Sequence, residues 1–229
     1  GRGDGGEAKS VHSRVAEAYA WPLAEQVKSL AGLLALPDFA LDFGRTWRKL
    51  GSEDKAALLE MTEVNMAAYY GNEWDDALRE KRRDMASLQA RYIVVREKGA
   101  AGAGAAVDDD AVAGHDAAGG RSGAAAAVAG FLNYRFVIED EWAVLYVYEL
   151  QVAEPHRGKG LGKHLLAMAE ALARAGQMQG VMLTALKSNA KAMGFYCKSR
   201  AYVPSTIDPT HMFPDQAERF NYRILCKMF

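Results

Sequence analysis

Apolar residues recur at helical spacing through the first ~36 positions. Val11, Val15, Ala18 and Tyr19 fall on one stripe, and "AEQVKSLAGLLAL" carries a second that stops before Pro37. The period drops to two in "FALDFGRTW", where Phe39, Leu41 and Phe43 alternate with other residues and predict a strand. Helical spacing returns in "SEDKAALLEMTEVNMAAYY". Ser52 is the expected N-cap, Glu53 and Asp54 suit the positive end of the helix, and Leu58, Leu59, Met61, Met66 and Tyr69 supply an apolar face. "WDDALREKRRDMAS" predicts a second helix, so rich in charge that most of it should be solvated. "RYIVVRE" reads as a short strand, and "FLNYRFVI" and "AVLYVYELQV" as two strong strands joined by the acidic turn "EDEW". A helix from Leu161 to Ala175 follows, with Gly176 as its expected C-cap. The chain closes with a buried-type strand "GVMLTAL", a helix from near Asn189 to Arg200 and a final strand in "FNYRILCKMF". The order is mixed α/β, with a helical extension over 1–37 and one domain over 38–229.

Between "RYIVVRE" and "FLNYRFVI" the pattern disappears. Residues 99–130 are almost wholly Ala, Gly and Asp, with too little large apolar surface to pack a core. They read as a low-complexity insertion, an outsized loop for a compact domain.

Composition narrows the class only in part. The 229 residues suit one domain, and half of them are hydrophobic. The net charge of −1 offers no global attraction for nucleic acid. No stretch reaches the roughly 20 apolar residues of a membrane helix. The opening "GRGDGGEAKSVHSR" lacks the apolar core of a signal peptide and an initiator Met, the expectation for a processed or trimmed start. Cys197 and Cys226 are the two cysteines and have no metal-like spacing, which predicts a reducing intracellular compartment and no metal centre.

The chemistry concentrates in "RGKGLG", Arg157 to Gly162, set between a strand and a helix. Glycines permit unusual dihedrals and close backbone approach, and a helix start offers unpaired amides, so the pair makes an anion site of the phosphate or pyrophosphate kind. A Walker A loop would need glycine where Arg157 stands, and a dinucleotide fingerprint would not space Gly158, Gly160 and Gly162 evenly. Arg157, Gly160 and Gly162 do fit Arg-x-x-Gly-x-Gly, and "NAKAMGFYCKSRAY" places Asn189, Ala192 and Tyr196 in an Asn-x-x-Ala-x-x-x-Tyr pattern. Together they resemble the GNAT N-acetyltransferases, which bind acetyl-CoA. "NMAAYYGNEWDDALREKRRDM", "YRFVIEDEWAVLYVYELQV" and "VMLTALKSNAKAMGFY" are similar, more closely, to the NatD type of N-terminal acetyltransferase, over roughly Phe39 to the C-terminus apart from the insertion.

The resemblance implies a mixed, mostly antiparallel, splayed sheet flanked by helices. It implies that the backbone of Gly158, Lys159, Gly160, Leu161, Gly162 and Lys163 holds the pyrophosphate, with Arg157 and Lys159 adding charge. Leu150, Gln151 and Val152 would pair with the pantetheine arm, and Asn189 would touch the cofactor unless it is only a helix cap. Glu149 stands out from the residues alone, because a carboxylate in the middle of "LYVYELQV" is out of place in a buried strand unless paired or working. The alternative is a solvent-facing position on an edge strand. An α-amine has a reference pKa of about 7.7–8.0, so a carboxylate suffices to take its proton.

The resemblance gives Tyr196 the role of acid for the leaving thiolate, against a plain core position. It points to Tyr148, Thr184, Tyr222, Trp74 and one of Tyr69 or Tyr70 as peptide contacts. Glu139 would meet an arginine of the peptide; the family's second acid is replaced here by Val137, with Asp140 and Glu141 nearby. Cys197 reads as a small core residue, and His156 and His164 as surface residues. The expected function is acetyl transfer from acetyl-CoA to the α-amine of histone tails beginning Ser-Gly-Arg-Gly, by direct attack in a ternary complex. The enzyme is expected to act as a monomer in cytoplasm and nucleus, with no nucleic acid or membrane partner. The alternatives are a GNAT enzyme for a lysine or small amine, or a silent acyl-CoA-binding module for histone tails.

Overall fold

A computed structural model describes residues 9–98 and 126–229 of the chain. Its strands are β1 (Phe39–Arg45), β2 (Arg91–Glu97), β3 (Val128–Glu139), β4 (Trp142–Val152), β5 (Gly180–Leu186), β6 (Val203–Pro204) and β7 (Tyr222–Met228). They form one seven-stranded mixed sheet in the order β1-β2-β3-β4-β5-β7-β6. β1 runs antiparallel to β2, and β7 is antiparallel to both β5 and β6, whereas β4 and β5 are parallel. The parallel pair needs a crossover, which α5 (Leu161–Ala175) provides. The other helices are α1 (Val11–Ala20), α2 (Leu23–Ser29), α3 (Ser52–Tyr70), α4 (Trp74–Met85), α6 (Ala190–Met193) and α7 (Pro209–Met212).

The chain divides into two compact units. One comprises the chain up to Pro22, Tyr134–Tyr148 and Ala167–Phe229; the other comprises Leu23–Asn133 and Glu149–Leu166.

In the Leu23–Asn133 unit the core gathers Leu50, Leu58, Met85, Ala90, Tyr92, Val94 and Phe131. The Tyr92 hydroxyl donates to the Met85 carbonyl at 2.6 Å, so burying that ring leaves no unpaired hydroxyl. α3 starts one residue differently from expectation. Gly51, already extended at φ −63° and ψ 164°, occupies the N-cap position, and Ser52 is the first helical residue. The buried face of α3 also includes Thr62, whose hydroxyl donates to the Leu58 carbonyl at 2.8 Å, so a polar residue sits inside the stripe. β1 bulges at Gly44, where φ is +72° and a Cβ would lie 2.2 Å from a Leu23 methyl.

In the other unit, β3 and β4 close through Asp140 (φ 48°) and Glu141 (φ 66°). Two left-handed residues make the tight turn whose twist matches the hairpin, and Asp tolerates that region best among side-chain-bearing residues. α1 packs into this unit: the Phe136 amide donates to the Tyr19 hydroxyl at 3.1 Å, and Arg14 donates to the Gln177 carbonyl at 2.8 Å. α5 ends as expected at Ala175, with Gly176 as its C-cap and its amide bonded to the Leu172 carbonyl at 2.8 Å. The next residue, Gln177 (φ 59°), is the left-handed one, with Met178 N–H bonded to the Ala173 carbonyl and Gln177 N–H to the Arg174 carbonyl.

The expected helix from Asn189 to Arg200 begins as α6 and continues as a π-helical segment, Gly194–Ser199. The low-complexity insertion ends earlier than 130: Val128, Ala129 and Gly130 already belong to β3, paired to the sheet through backbone bonds that need no large side chains. Its remaining residues up to 125 lie outside the described ones.

Candidate active site

β4 leads into a single 3-10 turn, Glu154–His156, and then into the glycine loop. Gly158 (φ +73°) and Gly160 (φ +89°) are left-handed, and a Cβ on either would meet nothing within 4 Å. Glycine is needed there for backbone conformation, and the space beside the loop stays open. The first bond of α5 runs from the His164 amide to the Gly160 carbonyl at 2.9 Å. The amides of Leu161, Gly162 and Lys163 precede any intrahelical acceptor and face the loop at the positive end of a 15-residue helix. Lys159 is exposed beside them. This backbone fits a pyrophosphate. Upstream, the β4–β5 ladder runs from Val144↔Gly180 to Val147↔Leu183, while β4 itself continues to Val152. Leu150, Gln151 and Val152 therefore extend past that ladder, as a splayed sheet requires for an extended arm to pair there.

Glu149 lies in the buried register of β4, 6% exposed, and Gln151 shares that register at 6%. β4 is a central strand, which excludes the solvent-facing edge alternative. Both carboxylate oxygens are engaged. Lys81 Nζ donates to Oε1 at 2.5 Å, and Gln151 Nε2 donates to Oε2 at 2.8 Å. Asn65 continues the chain, donating from Nδ2 to Gln151 Oε1 at 2.9 Å and to the Val152 carbonyl at 3.2 Å. Arg157 closes it: its guanidinium donates to Asn65 Oδ1 and, through Nε, to the Val152 carbonyl at 3.2 Å. The arginine of the glycine loop is thus folded onto α3.

Burial pulls the Lys81 ammonium down, and attraction to Glu149 and Tyr70 more than offsets it, leaving its pKa above the usual lysine value. Lys81 and Asn65 went unnoticed in the sequence. α4 was expected to be largely solvated, yet Trp74, Leu78, Lys81 and Met85 form a 4-3-4 stripe that turns inward, and a lysine on such a stripe is the missed signal. Asn65 follows Leu58 and Thr62 in the same way on α3.

The Tyr69/Tyr70 alternative has a structural answer as to position. Tyr70 lies 5.8 Å from the Trp74 ring, and Lys81 Nζ lies 5.6 Å from the Tyr70 centroid. Tyr70, rather than Tyr69, adjoins the partner of Glu149. Trp74 Nε1 is buried with no hydrogen-bond partner among the described residues, a donor available to an incoming acceptor.

The Tyr134–Tyr148 unit gathers a second set. Tyr146 shares a 2.5 Å hydrogen bond with Thr184, and its ring lies 5.1 Å from that of Tyr148. Burial, with Glu139, Tyr148 and Tyr222 close by, pushes the Tyr146 phenol up to about 12. Glu139, Tyr148, Thr184 and Tyr222 are thereby brought around Tyr146, which the sequence had not singled out. Burial raises the Glu139 carboxyl above its ordinary value, and among the described residues no cation forms a salt bridge with it. Arg135 stacks on Tyr148, 3.9 Å from the ring centre. Val137 packs with Tyr146 against Val144, Met182 and Cys226, so the residue standing in for an acid does core work. Asp140 accepts from the Thr206 hydroxyl.

The remaining residues fall as follows. Tyr196 is 8% exposed, between the rings of Phe195 at 5.1 Å and Tyr202 at 6.1 Å. Asn189 caps α6, its side chain accepting from the Ala192 amide at 3.0 Å. Both histidines depart from the expected surface positions. His156 is held at 2.7 Å by Glu97 and edge-on against Phe39, and His164 bonds the Leu33 carbonyl. Their polar atoms find these partners only once distant segments fold together. Among the described residues no group of acidic, His or Cys side chains could hold a metal, and no helix is long and apolar enough to cross a membrane.

The family model "Acetyltransferase (GNAT) family" matches residues 58–202. An acetyltransferase from Streptococcus agalactiae 2603 is 13% identical over 85% of this chain and 100% of its own, with a TM-score of 0.53. The PaiA N-acetyltransferase from Thermoplasma acidophilum, solved in complex with coenzyme A, is 16% identical over 83% of this chain and 99% of its own, with a TM-score of 0.50. A nourseothricin acetyltransferase is 17% identical over 62% of this chain and 66% of its own length, with a TM-score of 0.41. The sheet and its flanking helices match the fold of the Streptococcus agalactiae acetyltransferase.

Proposed function

From the premise that the chain belongs to the acetyltransferase (GNAT) family, we propose that it carries the acetyl group of acetyl-CoA to the α-amine of histone tails beginning Ser-Gly-Arg-Gly. The observation that carries this reading is the acidic and aromatic patch of Glu139, Tyr146, Tyr148, Thr184 and Tyr222. Glu139, raised by burial and with no salt bridge among the described residues, suits a positively charged tail.

The loop amides from Gly158 to Lys163 hold the pyrophosphate of acetyl-CoA, and the β4 backbone from Leu150 to Val152 aligns its pantetheine arm. The co-substrate supplies a thioester carbonyl for the amine to attack. Glu149, the residue after Tyr148 on β4, takes the proton that the amine loses as its nitrogen bonds the acetyl carbon and the C–S bond breaks. A thiol of cysteine type has a pKa of about 8.5, so its thiolate collects a proton at neutral pH without a dedicated acid. That leaves Tyr196 to packing, in keeping with its place between two rings. A histone substrate places the enzyme in the cytoplasm and nucleus, working as a monomer.

The test is mass spectrometry of a Ser-Gly-Arg-Gly peptide, the same peptide with its α-amine blocked, a lysine peptide and a polyamine, each with acetyl-CoA. Acetyl on the free α-amine and none on the blocked peptide is expected. Preference for a lysine side chain or the polyamine would overturn the histone reading and leave a GNAT enzyme for another amine. No transfer to any acceptor, with tail binding intact, would mean a silent module.

A further inference from the structure

The two oxygens of Glu149 are not equivalent. Arg157 carries donors only, so the Asn65 atom facing it must be the carbonyl oxygen. Asn65 therefore turns its amide hydrogens toward Gln151 Oε1 and the Val152 carbonyl, and Gln151 must in turn present Nε2 to Glu149 Oε2. The polarity of both amides is set at the far end of the chain and again by the Val152 carbonyl. The Gln151 amide on Oε2 is therefore a fixed donor that cannot flip. Oε1 faces a different partner. Lys81 has three donors on a rotatable stem, is 16% exposed, and has the Tyr70 ring 5.6 Å from Nζ as a second resting place.

We infer that Lys81 is a positioning residue for acetyl transfer: its ammonium on Oε1, with the Gln151 amide on Oε2, holds the Glu149 carboxylate in one orientation within the buried register of β4. The inference rests on Glu149 being the base. Lys81 from α4 and Gln151 from β4 are the groups that face the carboxylate among the described residues, with Tyr70 behind Lys81 and Arg157 at the end of the amide chain.

Turnover and KM are read on the full-length protein by thiol release from acetyl-CoA. Lys81→Met and Lys81→Gln should each lower kcat by about tenfold or more, a part of the ~10²–10⁴-fold that a general base supplies, with KM for acetyl-CoA nearly unchanged. Lys81→Arg, which keeps the cation, should restore kcat. Gln151→Met, which removes a neutral donor, should lower kcat less. Unchanged kcat in folded Lys81→Gln, or a larger loss in Gln151→Met, would overturn the inference. Full turnover of Glu149→Gln would instead remove Glu149 as base, whatever the Lys81 variants show.

Discussion

Replacing Glu149 with glutamine separates chemistry from architecture, because the structure gives each a size. Loss of a general base lowers turnover by about 10²–10⁴-fold, or roughly 2.7–5.5 kcal/mol at 1.36 kcal/mol per decade. The amide has one acceptor where the carboxylate had two. It can accept from Lys81 or from Gln151, and its own N–H then opposes the other donor. The Lys81 ammonium also loses its counter-ion. Breaking a buried pair costs about 3–5 kcal/mol, and the low end applies here because Lys81 is 16% exposed and can reach water. Urea unfolding should report that loss, thiol release from acetyl-CoA the turnover, and calorimetry a near-unchanged acetyl-CoA affinity. The stability gap has a pH signature. The folded pKa of Lys81 lies above its ordinary 10.5, so the pair's contribution is complete below that value and fades as pH rises through the folded one. On the alkaline side, wild type and variant should converge in that range. A folded variant with wild-type turnover at pH 7 would refute the chemistry. A variant as stable as wild type would refute the energetic reading of the pair.

Gly160→Val should weaken acetyl-CoA binding at least tenfold in calorimetry, because a branched residue resists φ +89° at about 1–2 kcal/mol and fills the open side of the loop; unchanged affinity in a folded protein would displace the pyrophosphate from this loop. Changing Arg to Ala in a Ser-Gly-Arg-Gly peptide should cost wild type about 10–100-fold in kcat/KM and the Glu139→Ala enzyme less, since both deletions remove one contact; equal penalties would show that Glu139 does not read the arginine. Tyr196→Phe should keep most of the wild-type turnover across neutral pH, whereas a loss of a hundredfold or more would return Tyr196 to the chemistry.

Local pattern carried most of the fold. The expected strands became β1, β2, β3, β4, β5 and β7, the acidic turn became the left-handed pair Asp140–Glu141, and the strand–glycine–helix unit stood where the spacing put it. The errors lie where a neighbour decides. α4 was expected to be largely solvated, but its stripe of Trp74, Leu78, Lys81 and Met85 turns inward. Two histidines beside the glycine loop had no reason to be half-buried until Glu97, Phe39 and Leu33 met them.

The sequence by itself determined the family's loop, the carboxylate at Glu149 and the tyrosines that follow one another on β4. Each is a matter of residue type at short range, where dihedral freedom, helix-end amides and strand alternation act within a few positions. Only the tertiary structure decided what Glu149 is bonded to. Lys81 lies 68 residues away and Asn65 86 from its partner Gln151, and no short-range preference specifies such pairs. They form because a carboxylate buried in a sheet must be paired, and the folded chain alone determines which donors come within reach.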